Sequence, residues 1–103
     1  MKKVAFLLLL VSSLTSQGQE SIRLSGLVID TEKSNPIPFA YVTLNGVALG
    51  TVTNGEGRFA ITIPPQYVND ELLFSYVGYE KKVISIQSLR NRDKIIIKLK
   101  PDV

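Results

Sequence analysis

Asn54-Gly55-Glu56-Gly57-Arg58-Phe59-Ala60-Ile61-Thr62-Ile63-Pro64-Pro65 admits two incompatible readings, and the choice between them decides the fold. Gly55, Gly57 and Ala60 satisfy a loose form of the glycine-rich dinucleotide fingerprint. That chemistry needs a helix to start at the glycines, so that its first amides hold a pyrophosphate. Here Phe59, Ile61 and Ile63 recur with period two instead, the pattern of a half-buried strand. Pro64-Pro65 then ends it, because neither proline can donate to a ladder. The segment reads as a hairpin turn followed by a β-strand, with no nucleotide site.

Working outward, the same short alternation recurs at intervals of about eight to twelve residues, and no sustained helical period appears. Residues 22–29 form the first strand, and Asn35-Pro36-Ile37-Pro38 breaks it. Residues 39–45 alternate, with Ala40, Val42 and Leu44 on one face and Tyr41 and Thr43 on the other. Asn45-Gly46 marks a turn, and residues 49–53 form a short strand. Beyond the prolines, residues 71–77 place Leu72, Phe74 and Tyr76 on one side. Gly78 permits a bend before a strand over residues 81–86, and a helical turn fits the polar stretch 88–92. Residues 94–100 turn Ile95, Ile97 and Leu99 inward and Lys94, Lys98 and Lys100 outward, with Ile96 the apolar exception. Lysines in that position suit a sheet edge, since charge discourages intermolecular pairing. The pattern predicts an all-β, seven-stranded β-sandwich with Greek-key connections, with a small barrel as the alternative.

The N-terminus is of a different kind. Met1-Lys2-Lys3 is basic and residues 4–14 are almost unbroken apolar. A membrane span needs about twenty apolar residues, so the run has the length of a secretory signal peptide. Ser16-Gln17-Gly18 supplies the small residues of a cleavage site, predicting a signal peptide over residues 1–18 and a mature domain over 19–103. The protein is thus expected to be exported. No cysteine follows the run to carry a lipid anchor.

Composition excludes more than it assigns. The chain of 103 residues has no His and no Cys, with twelve Lys plus Arg against nine Asp plus Glu and a pI near 9.3. It therefore lacks a histidine base or ligand, a thiolate nucleophile and a disulfide framework. Lys2 and Lys3 leave with the signal, so ten basic side chains remain against nine acidic ones. A near-neutral domain lacks the basic footprint of a nucleic-acid binder, Lys81-Lys82 and Arg90-x-Arg92 notwithstanding. Acidic residues gather before Leu72 and basic ones after it, as a solvated exterior commonly does. Asp30, Asn54 and Glu56 are only fragments of the ligand set calcium requires, and Asn54 is explained by turn chemistry. Asp70-Glu71 point to opposite faces of a strand and cannot share a proton. No catalytic residue, metal site or cofactor is expected. Tyr41, Tyr67, Tyr76 and Tyr79 serve either as packing or as a stacking platform.

Taken together, Ser25-Gly26-Leu27-Val28-Ile29-Asp30 and Pro36-Ile37-Pro38-Phe39-Ala40-Tyr41-Val42-Thr43-Leu44 resemble the start of a carboxypeptidase regulatory-like domain. Gly50-Thr51-Val52-Thr53-Asn54-Gly55-Glu56-Gly57-Arg58-Phe59 and Leu73-Phe74-Ser75-Tyr76-Val77-Gly78-Tyr79-Glu80 extend the resemblance over residues 22–86. Asn54 departs from the family pattern, which usually has Asp there. The resemblance implies a transthyretin-like (prealbumin-like) sandwich. It also implies the non-catalytic appendage of metallocarboxypeptidases, not their zinc domain, which needs the histidines absent here. Similar domains stand at the N-terminus of TonB-dependent outer-membrane receptors, directly after a signal peptide.

The expectation is a non-enzymatic accessory or interaction module of the Gram-negative envelope, in the periplasm or at the outer membrane. Its partner would be an envelope protein or a following domain of a longer gene product, met through a sheet edge such as residues 49–53. The alternative is a carbohydrate- or peptide-binding module. Candidate contact residues are Tyr41, Tyr76, Tyr79, Thr51 and Thr53.

Overall fold

The computed structural model describes residues 20–102. The signal segment inferred for residues 1–18 lies outside the described residues. Seven strands follow in order: β1 (Ile22–Asp30), β2 (Tyr41–Leu44), β3 (Gly50–Val52), β4 (Arg58–Ile63), β5 (Glu71–Ser75), β6 (Lys82–Ser85) and β7 (Ile95–Leu99). They form two sheets, β4-β1-β7 and β3-β2-β5-β6, packed as a sandwich. The period-two reading carried through to the fold in β2, β4, β5 and β7. Alternation along β4 buries Phe59, Ile61 and Ile63 and exposes Arg58, Ala60 and Thr62. Val42 and Leu44 on β2 and Leu72 and Phe74 on β5 answer from the other sheet. Across the interface the Phe59 and Phe74 rings meet edge to face at 5.6 Å, the geometry their ring quadrupoles favour.

Two features depart from the reading of the sequence. Residues 54–57 do not close a hairpin, because β3 pairs with β2 while β4 pairs with β1 in the opposite sheet. The turn is a corner that carries the chain across the sandwich. Local chemistry favours a tight turn whichever strands flank it, so the turn residues could not reveal which sheet each strand joins. The second departure is at Phe39, expected at the start of a strand. It sits instead at φ +62° with its ring 62% exposed, and β2 begins only at Tyr41.

The first and last strands lie side by side in parallel, Gly26 opposite Ile95 and Asp30 opposite Leu99. Gly26 permits that approach: a Cβ there would lie 2.6 Å from the Ile95 carbonyl oxygen. β7 forms a sheet edge, as its lysines predicted. Between β6 and β7 a short helix, α1 (Ile86–Arg90), buries Ile86 and Leu89. Ser85 caps it by accepting the Ser88 N–H, which stops β6 one residue short of the expected end.

Candidate interaction site

The candidate contact residues separate into three environments. Thr53 is fully buried. Its hydroxyl accepts the Ala40 N–H at 2.8 Å and donates to the Ile37 carbonyl at 2.7 Å. The Phe39 N–H reaches the Thr53 carbonyl at 3.0 Å. Thr53 therefore pins the 37–40 loop to β3 and presents nothing to a ligand, which corrects its place among the contact residues. Nothing in strand alternation marks this, because Thr53 lies just beyond the strand end and its hydroxyl replaces a ladder bond. Thr51 is half-buried within β3, opposite Val42.

Tyr41, Tyr76 and Tyr79 come together with Ser75, Val77 and Lys81 around a shallow groove of about 260 Å³. Tyr41 is 57% exposed, while Tyr76 and Tyr79 are partly buried against the core. Their two ring centroids stand 6.0 Å apart at a 40° tilt, so they do not form one flat platform. The hydroxyl of Tyr79 is committed, donating to Asp30 Oδ2 at 2.7 Å. Gly78, at φ +89°, turns the chain between Val77 and Tyr79. The turn is held from the other sheet, where Asp102 N–H donates to the Gly78 carbonyl at 2.9 Å.

Asp30, weighed in the sequence only as a fragment of a calcium ligand set, has a structural role. Its Oδ1 accepts the N–H groups of Glu32 at 2.6 Å and Lys33 at 3.1 Å, an Asx turn that closes the loop after β1. The Asp30-Thr31-Glu32-Lys33 sequence carries that local signal, whereas the partnership with Tyr79 spans both sheets and leaves no local trace. The Tyr79 hydroxyl, followed by the two backbone amides, holds the Asp30 carboxyl below its ordinary value, and the same bond raises the Tyr79 phenol.

A carboxyl lowered in the folded state contributes stability that is present above its unfolded value and lost as pH falls through the folded one. Asp30→Asn is therefore expected to lower the melting temperature near pH 7. The gap from wild type should narrow only as pH falls below the ordinary carboxylate range and through the lowered folded-state value of Asp30, where the wild-type carboxyl is protonated too. Circular-dichroism melts across that range check it, and a gap that is constant with pH would contradict it.

Asn54 likewise serves structure. Asn54 Oδ1 accepts the N–H groups of Glu56 and Arg58 at 2.9 and 3.0 Å, which accounts for it as a turn residue. Among the described residues no three His, Cys, Asp or Glu side chains gather to hold a metal ion. Nor is any described helix long and apolar enough to cross a membrane.

At the β6–β7 side, Lys81, Lys82, Lys98 and Lys100 surround one depression with a single carboxylate, Glu80. Lys82 Nζ donates to the Lys98 carbonyl at 3.2 Å, and Glu80 N–H to the Lys100 carbonyl at 2.8 Å. The opposite side of the sandwich is different. There β3 is the outermost strand of its sheet and bears exposed Val52 beside Tyr41. The arrangement offers backbone groups and apolar side chains, the requirements of strand-to-strand contact.

Comparison with known proteins agrees with this geometry. The model of the CarboxypepD_reg-like domain matches residues 24–103. TonB-dependent receptor P39 of Formosa agariphila is 35% identical over 92 residues, covering 82% of this chain and 8% of the receptor. TonB-dependent receptor P3 of the same organism is 29% identical over 91 residues, covering 88% of this chain and 9% of the receptor. The chain thus spans less than a tenth of the length of these relatives. The ordered glycines, the seven strands and the match over most of the chain lead to one conclusion: this chain belongs to the CarboxypepD_reg-like domain family.

Proposed function

We propose that the protein is an exported, non-catalytic interaction module of the Gram-negative envelope, working as one domain of a TonB-dependent receptor or a similar outer-membrane protein. The observation that carries this reading is the pair of receptor relatives, each matched over most of this chain yet over only 8–9% of its own length. A piece of that size in a large receptor is a module. The absence of His and Cys from the sequence supports a role without histidine- or thiolate-based hydrolytic chemistry. The contact is made by protein–protein docking through a sheet edge, for which β3 is suited.

Fractionation of the parent bacterium, with an antibody raised against the domain, tests this. The antigen is expected in the outer-membrane fraction, within an assembly far larger than 11.4 kDa on native electrophoresis. Recovery from the cytosol, or only as a free monomer, would overturn it.

A second reading, a carbohydrate- or peptide-binding module, draws on the tyrosine groove formed by Tyr41, Tyr76 and Tyr79. The tilt of Tyr76 against Tyr79 and the commitment of the Tyr79 hydroxyl leave Tyr41 as the ring most open for stacking.

A further inference from the structure

Residues 34–55 carry no charged side chain, the longest such run among the described residues. This tract builds the loop before β2, the β2–β3 hairpin and the start of the corner. It also supplies Phe39, Tyr41 and Val52, which are 62%, 57% and 47% exposed. Apolar side chains left in water along a neutral sheet edge are what natural edge strands ordinarily avoid.

The backbone of that edge is open. Leu44 N–H donates to the Leu49 carbonyl, and Thr53 N–H to the Ala40 carbonyl. In an antiparallel ladder alternate residues turn both polar groups to the partner and their neighbours turn both away. Leu49, Thr51 and Thr53 therefore face β2, and Gly50 and Val52 direct an N–H and a carbonyl outward each. Val52 and Tyr41 are register partners, so an apolar strip borders these four groups.

The other edges are less receptive. On β7 the outward carbonyls of Lys98 and Lys100 are taken by Lys82 Nζ and Glu80 N–H, and lysines line the strand. β6 exposes Val83 but begins at Lys82 with Lys81 before it, which sets charge beside that side chain. β4 begins at Arg58, runs into Pro64-Pro65 and exposes only the small side chains of Ala60 and Thr62 between them.

Building on the module reading above, we infer that β3 accepts an added strand from a partner polypeptide: an extended, uncharged segment with β-branched or aromatic side chains. Its backbone pairs with Gly50 and Val52, and its outward side chains continue the strip formed by Val52 and Tyr41. A charged segment is disfavoured, because its side chains would be desolvated against a neutral apolar surface.

The test uses the ¹⁵N-labelled protein and a capped heptapeptide of alternating threonine and valine. Saturable shifts are expected at the Gly50 and Val52 amides, with hydrogen exchange at both slowed about tenfold on binding. Val52→Lys should weaken the peptide at least about tenfold, whereas Thr62→Lys on the neighbouring edge leaves binding unchanged. Val52→Pro removes an outward N–H without breaking a bond to β2 and should act similarly; if it does not fold, Val52→Lys decides alone. Shifts centred on Ala60 and Thr62 or on β7, no saturable shift, or binding that survives Val52→Lys would overturn the proposal. So would concentration-dependent self-association through β3 with no response to peptide, which assigns the edge to a second copy. If the envelope assembly persists in a Val52→Lys strain, the module reading stands and β3 is not its contact.

Discussion

Gly57→Ala is expected to cost the domain about 2–4 kcal/mol, whereas Gly55→Ala, two residues away, falls within about 0.5 kcal/mol of wild type. Gly57 sits at φ +76°, in the left-handed region where a side chain costs roughly 1–2 kcal/mol. Its environment adds to that. A Cβ there would lie 2.8 Å from the Val28 carbonyl oxygen and 2.9 Å from the Pro36 Cβ, and neither neighbour is the free end of a flexible chain. The Gly57 carbonyl also accepts the Val28 N–H at 2.8 Å, so displacing the residue strains the β1–β4 register. At Gly55 an added Cβ meets open space. For a domain of this size, whose whole stability is about 4–12 kcal/mol, the first change is severe and the second is not. Urea denaturation of both variants measures the difference. Equal losses would mean that Gly57 is not the joint between the sheets that its contacts describe.

Thr53→Val is expected to cost about 2–3 kcal/mol with almost no change in side-chain volume. Valine fills the same space but leaves the Ala40 N–H without its acceptor and the Ile37 carbonyl without its donor, both in the buried interior. Each orphaned buried polar group costs about 1–3 kcal/mol, with partial relaxation lowering the sum. The loop that Thr53 holds contains Phe39, whose positive φ persists only because its surroundings impose it. Faster hydrogen exchange at Phe39 and Ala40 should therefore accompany the loss. Thr53→Ser, which keeps the hydroxyl, should recover most of the stability. If Thr53→Val matches wild type while Thr53→Ser does not, packing of the methyl group matters and the hydroxyl does not.

Residue by residue, the legible part of this protein was the part written in short-range pattern. Phe59, Ile61 and Ile63 announced a strand because side chains alternate with the pleat, and all three are buried. Ile95, Ile97 and Leu99 did the same for β7, and Lys94, Lys98 and Lys100 marked an edge. The groove around Tyr41, Tyr76 and Tyr79 was legible only as a list of tyrosines. Its shape depends on the bend at Gly78 and on the Asp30–Tyr79 bond, whose partners are 49 residues apart. Thr53 was misplaced for a related reason. A threonine at a strand end looks alike in sequence whether its hydroxyl faces water or closes a loop.

Sequence alone determined the class of fold, the strand order along the chain and the exclusion of histidine- and cysteine-based chemistry, since these follow from alternation, turn residues and composition. Tertiary structure decided which strands pair and therefore which edges stay open. Asn54 to Gly57 form an equally good turn within one sheet or between two. Only the pairing of β3 with β2 and β4 with β1 makes the turn a corner. That same pairing seals the lysine-rich side with cross-sheet hydrogen bonds and leaves Gly50 and Val52 facing outward. Residues 49–53 already read as a contact edge in the sequence, but which of their backbone groups face outward was fixed only when β3 paired with β2.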